Sequence, residues 1–152
     1  MLPVLFIVFA AALTAILEIQ IEGSAGWAKN LPAWRPKPHR WYTKILRIFS
    51  PDPEPTGYHL AIWAVTFSFF HWPLFLGVPW SVQLEVNLLS AYMFFWVLED
   101  FLWFFFNPAF GLRRFRPEFI PWRREWWGPF PRFYYVRVAT IIALQFLARV
   151  FS

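Results

Sequence analysis

Four stretches of the chain are almost continuously apolar and long enough to form helices that cross a membrane. They cover residues 2–22, 58–78, 84–106 and 133–151. A helix rises about 1.5 Å per residue, so about 20 apolar residues cross the roughly 30 Å hydrocarbon core of a bilayer. The pattern therefore predicts an all-α integral membrane protein, in which residues 1–152 form a single membrane domain with four transmembrane helices.

A shorter amphipathic pattern lies in the first long loop, residues 23–57. In the segment PHRWYTKILRIFS, apolar residues recur at helical spacing beside a basic stripe formed by Arg40, Lys44 and Arg47. A short helix with one apolar and one basic face lies along the headgroup region of a bilayer. We therefore expect an interfacial amphipathic helix between the first two transmembrane helices.

The composition supports a membrane protein and narrows the chemistry. The chain is 59% hydrophobic and 24% aromatic but only 15% charged, which is far from the composition of a water-soluble domain. It contains no cysteine. Disulfides, thiolate metal sites and cysteine nucleophiles are therefore excluded.

The positive charges predict an orientation. Of the 14 lysines and arginines, all but Arg149 lie in the loops 23–57 and 107–132 or near the start of the fourth apolar stretch. Lysine and arginine concentrate in the cytoplasmic loops of membrane proteins. We expect both long loops in the cytoplasm and both termini outside, in the cytoplasmic membrane of a bacterium or archaeon.

The second long loop alternates arginine with aromatic residues, a pattern that occurs both in RNA-binding segments and at membrane surfaces. It carries no signature of an RNA-binding module and is tethered to membrane helices, so membrane lipids with anionic headgroups are the expected partners, and nucleic acid is not. Four arginines are assigned to these headgroups: Arg113, Arg114, Arg123 and Arg124.

Carboxylates interrupt two of the apolar stretches. Glu18 and Glu22 are four residues apart and share one helix face, whereas Glu99 and Asp100 are adjacent, so their side chains point about 100° apart. The topology places all four acids, and His59, at a similar depth. An ionised side chain within the membrane costs about 2.5–3.5 kcal/mol, so these acids need partners.

One interpretation of the cluster is a divalent metal site. Glu18, Glu22, His59 and Glu99 would bind iron, manganese, magnesium or zinc, because helical bundles build such sites from inward-facing carboxylates and imidazoles. Glu99 and Asp100 would then transfer protons or orient a ligand. The Glu-x-x-His pairs of di-iron bundles are absent from the sequence.

The other interpretation is structural. Arg137 enters the fourth apolar stretch at a depth close to that of Glu99 and Asp100, and an ion pair with Arg137 would satisfy these acids without any chemistry. Elsewhere, His71 is expected to bind a backbone carbonyl or Glu85.

Two functions follow from these interpretations. The first is a small inner-leaflet enzyme that acts on a lipid or isoprenoid, with the segment around Gly23, Gly26 and Trp27 closing the acidic cluster from water. The alternative is a non-catalytic accessory subunit of a larger membrane complex, with other membrane subunits as partners and the acids in an ion-pair network.

Overall fold

The structure is a computed structural model that describes residues 2–50 and 54–150. The predicted all-α class is confirmed. In this part of the chain the helices are α1 (Leu2–Glu22), α2 (Trp41–Phe49), α3 (Gly57–Phe70), α4 (Trp72–Phe75), α5 (Val82–Phe106) and α6 (Arg132–Val150).

Two of the four predicted spans are long and apolar enough to cross a membrane. These are Pro3–Glu22 in α1 and Val82–Phe106 in α5, and no other helix in residues 2–50 and 54–150 meets the same test of length and composition. The prediction of four transmembrane helices is therefore not confirmed.

The second predicted span is broken near its middle. α3 is a helix of 14 residues that ends before His71, and α4 is a separate turn that begins at Trp72. Pro73 explains the break, because proline lacks a backbone N–H and its ring clashes with the carbonyl group four residues earlier. A periodicity of apolar residues does not reveal such an interruption.

The fourth predicted span is a helix, α6, with 19 residues. It carries Arg137 and Gln145 within its length, and it falls short of the apolar content of a membrane span. The predicted end of this span at residue 151 lies outside the described residues.

α5 is the central helix, and α1, α3 and α6 all pack against it. α1 runs parallel to α5, whereas α3 and α6 run antiparallel to it. The contact between α5 and α6 includes a hydrogen bond of 3.2 Å that Gln145 Nε2 donates to Asn87 Oδ1. As a result, the end of α1, the start of α3, the end of α5 and the start of α6 meet at one end of the bundle.

The amphipathic helix predicted in the first loop is present as α2. Trp41 and Ile45 are exposed on its surface, beside the exposed Arg40 and Lys44. The helix that follows begins with Thr56 as its N-cap.

The second loop is folded back onto the bundle. It contains a short 3₁₀ helix, Leu112–Arg114, and an antiparallel pair of two-residue strands, β1 (Trp126–Trp127) and β2 (Phe130–Pro131). Phe115 and Ile120 of this loop are buried against Trp103, Phe104 and Tyr134. The loop is therefore part of the core at this end.

Candidate functional site

We call the end of the bundle that holds Glu18, Glu22, Glu99 and Asp100 the acidic end. The buried face of α1 contributes two of these carboxylates. This face carries Ala11, Ala15, Glu18 and Glu22, which follow one another at intervals of four, three and four residues. The two alanines are completely buried and let α1 approach α5 closely. Glu18 and Glu22 lie on the same buried face as the two alanines. The carboxylates of α1 therefore face the protein, and most of its large apolar side chains face outward.

Asp100 of α5 is fully engaged by its neighbours. Arg123 forms an ion pair with its Oδ1, and the hydroxyl of Tyr134 donates a hydrogen bond of 2.6 Å to its Oδ2. The Arg123 guanidinium also lies over the rings of Phe133, at 4.2 Å, and Trp27, at 5.1 Å. Asp100 therefore positions Arg123 and Tyr134.

Arg123 and Arg137 differ from their expected roles. Arg123, assigned to a lipid headgroup, is 9% exposed, and it provides the ion pair expected from Arg137. Arg137 lines the same cavity and lies 5.0 Å from the Phe133 ring, without an ion pair within 4.0 Å to any described acid. Arg123, and not Arg137, pairs with Asp100 because the loop 107–131 packs into the bundle. Arg113, Arg114 and Arg124 are exposed, as headgroup binding requires.

The segment after α1 covers the acidic end. Glu22 Oε1 accepts a hydrogen bond of 2.6 Å from the backbone N–H of Ala28. Trp27 stacks on the imidazole of His59, with ring centroids 4.0 Å apart, and both residues line the cavity. Gly26 allows this close packing, since a Cβ atom there would lie 2.9 Å from the Trp122 ring. The segment thus forms the cap that the sequence pattern suggested.

His59 is held by the first turn of its own helix. The backbone N–H of Thr56 donates a hydrogen bond of 3.2 Å to His59 Nδ1, an arrangement in which histidine takes the place of the glutamate of a capping box. An N–H group can only donate, so Nδ1 is the nitrogen that carries the lone pair, and the proton is on Nε2. Nε2 lies 3.5 Å from Glu22 Oε1.

This tautomer bears directly on the expected metal site. A neutral histidine binds a metal through a nitrogen with a free lone pair, and here Nδ1 is occupied by Thr56 while Nε2 carries hydrogen. In the described part of the chain, no three side chains of histidine, aspartate or glutamate are arranged to hold a metal ion. His59 is therefore held by Thr56 and lies beside Glu22, with Nε2 3.5 Å from Glu22 Oε1.

Glu18 and Glu99 are brought together with unmet hydrogen-bonding capacity. Both side chains are buried, at 6% and 3% exposure, and the Oε1 atom of each lies outside normal hydrogen-bond geometry to any described donor. The buried hydroxyl of Tyr58 interacts with the Glu18 carboxyl group and is the donor beside it. The indole N–H groups of Trp96 and Trp103 are also buried outside normal hydrogen-bond geometry to any described acceptor, and the Tyr92 hydroxyl interacts with Trp96. Buried polar groups are almost always paired, so four such atoms in one place indicate a site for another molecule.

A cavity of about 50 Å³ connects these groups. A cavity of this size accommodates a few water-sized groups. Its walls combine the acids and arginines described above with apolar rings. Its lining includes two carboxylates and four tryptophans: Glu18, Glu99, Trp63, Trp96, Trp103 and Trp122.

The sequence pattern did not single out Trp96, Trp103 or Asn107. Asn107 is 2% exposed, and its side-chain amide donates a hydrogen bond of 3.2 Å to the carbonyl oxygen of Gly23, which ties the end of α5 to the end of α1. The Asn-Pro pair directly after a long apolar run was a signal for Asn107, because it marks a helix end. Nothing distinguished the two tryptophans from the other nine.

Comparisons of the chain with protein-family models, with curated proteins and with solved structures find no match.

Proposed function

We propose that this chain is an integral membrane protein that binds the polar group of a lipid or isoprenoid substrate in the cavity at the acidic end, where Glu18 and Glu99 donate and accept protons. The observation that carries the proposal is the pair of buried carboxyl oxygens that have no hydrogen-bond partner and line one cavity. Buried groups left unpaired at a cost in stability are typical of binding and catalytic sites.

The exposure of α1 supports a membrane location. Only 17% of its most apolar 18-residue window is buried, whereas the core helix of a water-soluble protein would be mostly buried. Phe6 and Phe9 are 70% and 60% exposed, and the acids of the same helix face inward. This distribution suits a hydrocarbon solvent, which favours apolar residues outside and polar residues inside.

The basic loops favour the inner leaflet as the position of the acidic end. The loops 23–57 and 107–132 join the helices at this end and carry most of the lysines and arginines. This distribution favours the cytoplasmic side for the two loops and the outside for both termini. The exposed Arg113, Arg114 and Arg124 would contact anionic headgroups, and α2 would lie in the interface through Trp41 and Ile45.

Acid–base chemistry follows from the placement of the two carboxyl groups. A carboxyl group that carries a proton can act as a general acid beside a second carboxyl group that acts as a base. Glu18 and Glu99 come from two helices packed against each other, α1 and α5, so their separation is set by rigid elements. The ion pair of Asp100 and Arg123 lines the same cavity.

A divalent metal at Glu18, Glu22 and Glu99 is the second candidate, and the unpartnered oxygens of Glu18 and Glu99 favour it. Oxygen ligands of this kind suit magnesium, manganese or iron. In this version the metal would polarise the substrate in place of a proton. Two features weigh against it: the Nε2–H of His59 and the positive charge of Arg123 beside Asp100.

The test is to identify what copurifies with the protein. Wild type, Glu18→Gln, Glu99→Gln and the control Glu85→Gln are purified in detergent, and bound lipids and metals are measured by mass spectrometry. We expect a lipid with wild type and with Glu85→Gln, because Glu85 lies at the other end of α5, and loss of that lipid in the two cavity variants. Stoichiometric metal lost in the same variants would establish the metal version. Identical lipids and no metal in all four proteins would contradict both.

A further inference from the structure

The hydrogen-bonding groups of the cavity define the polar group that fits it. The unpartnered Oε1 atoms of Glu18 and Glu99 need a donor, and the unpartnered N–H groups of Trp96 and Trp103 need an acceptor. An indole N–H is a donor only, so no rotation of Trp96 or Trp103 changes this requirement. The group bound there must therefore both donate and accept hydrogen bonds.

Three common headgroup types can be compared against this requirement. A protonated amine donates to the carboxyl oxygens but leaves the indole N–H groups without an acceptor. A phosphate accepts from the indoles but faces the acids, which repel it. A hydroxyl group donates its one proton to a carboxyl oxygen and accepts hydrogen bonds from its neighbours, so it meets both needs without bringing a charge to the acids.

We propose that the cavity binds the hydroxyl end of a lipid alcohol, with one carboxyl of the Glu18 and Glu99 pair as acceptor and the Trp96 and Trp103 N–H groups as donors. This inference rests on the proposed function and specifies its substrate class. The rest of the lining suits the adjoining hydrocarbon, because Trp63, Phe104 and Trp122 present aromatic rings to the same cavity.

The charges of the surrounding groups agree with a neutral ligand. Asp100 is neutralised by Arg123, and Glu22 accepts a hydrogen bond from the backbone N–H of Ala28 and lies 3.5 Å from His59 Nε2. Glu18 and Glu99 remain, and a ligand without a negative charge is not repelled by either carboxyl group. A carboxyl with a proton can itself donate to the hydroxyl oxygen.

The experiment uses the full chain in lipid nanodiscs and three probes that share a decyl chain: decanol, decylamine and decyl phosphate. Bound probe is counted by native mass spectrometry during a titration. We expect wild type to bind decanol more tightly than the two charged probes. Because the probes differ only at the head, their ranking reports the chemistry of the cavity and not of the tail.

Three variants assign the binding to the cavity. Trp96→Phe keeps an aromatic ring and removes the N–H, and we expect decanol to bind about 2- to 10-fold more weakly, the effect of one lost hydrogen bond. Trp103→Phe is a second variant with the same expected effect, should Trp96→Phe not fold. Trp80→Phe is the control, because the Trp80 indole donates to Glu85 far from the cavity, and its binding should equal that of wild type.

The outcomes separate this inference from the proposed function. Tighter binding of decylamine or decyl phosphate, abolished by Glu99→Gln, would overturn the alcohol and leave a lipid site. Equal loss of decanol in Trp96→Phe and Trp80→Phe would also overturn the alcohol site. Failure of all three probes to bind wild type would overturn the proposed function together with the inference.

Discussion

The acidic end and the opposite end of α5 both hold histidine, glutamate and tryptophan, and they treat these groups differently. At the opposite end, which we call the histidine end, His71 Nδ1 donates to the Phe67 carbonyl at 2.8 Å, and Nε2 lies 3.2 Å from Glu85 Oε1. Trp80 donates to the other oxygen of Glu85. Each of these polar groups has a partner in the protein, as the sequence suggested for His71.

The acidic end contains the same residue types with a different balance. Glu22, His59, Asp100 and Arg123 form hydrogen bonds or ion pairs, but Glu18 and Glu99 each keep a carboxyl oxygen without a partner in the described residues. A network built only for stability has no reason to leave such groups unpaired, because each costs about 1–3 kcal/mol. The comparison teaches that polar residues in an apolar chain are a weak sign of function, and that unpaired ones are a stronger sign.

The strongest way to break the acidic end is to remove its buried cation. Arg123→Ala leaves Asp100 with Tyr134 but without a counter-charge, and we expect the free energy of unfolding in detergent to fall by about 3–5 kcal/mol. Arg132→Ala is the control, since its pair with Glu125 is about half exposed on both sides and should contribute less than about 1 kcal/mol. Equal losses in the two variants would show that Arg123 is not a buried partner.

The cap over the acidic end can be tested at Gly26. Gly26→Ala places a Cβ atom 2.9 Å from Trp122 and 3.3 Å from Trp103 in a residue with φ +64°. We expect a loss of about 2–5 kcal/mol from backbone strain and overpacking together. At the histidine end, Gly77→Ala also has a positive φ, of +86°, but meets no atom within 4 Å, so about 1–2 kcal/mol should be lost. Thermal unfolding of both variants measures the difference, and its absence would contradict the tight packing of the cap.

The sign of a stability change distinguishes the two ends most sharply. Glu99→Met replaces a buried group that lacks a partner with an apolar side chain of similar length, and we expect the free energy of unfolding to rise by about 1–3 kcal/mol. Glu85→Met removes the acceptor of His71 and Trp80, so the free energy should fall by about 1 kcal/mol. Chemical unfolding of ligand-free protein gives both values. A loss of stability in Glu99→Met would mean that Glu99 has a structural role.

The smallest effect concerns two asparagines. Asn107→Ala removes the buried link to Gly23 and the hydrogen bond of 3.0 Å that Ala109 donates to Asn107 Oδ1, and we expect a loss of about 1–2 kcal/mol. Asn87→Ala removes one exposed contact with Gln145 and should cost less than about 1 kcal/mol. Thermal unfolding compares the two. A larger loss of stability for Asn87→Ala than for Asn107→Ala would show that the hydrogen bond between Asn107 and Gly23 does not hold the ends of α1 and α5 together.

Local patterns predicted most of what is local in this structure. Glu18 and Glu22 share the inward face of α1, and Glu99 and Asp100 point to different surroundings, because helix geometry fixes the angle between neighbouring residues. The helix α2 was also predicted correctly. The break at His71 was not, since apolar composition alone does not mark where a proline interrupts a helix.

The sequence by itself determined the helical class and the helix face that carries Glu18 and Glu22, because these depend on composition and on a period of 3.6 residues. Only the tertiary structure decided that Arg123 and not Arg137 pairs with Asp100, that Thr56 sets the tautomer of His59, and that two carboxyl oxygens remain without partners. These features depend on the path of a 25-residue loop, 107–131, and on contacts between residues far apart in the chain. Such contacts are selected by packing of the whole end of the bundle, which no local pattern contains.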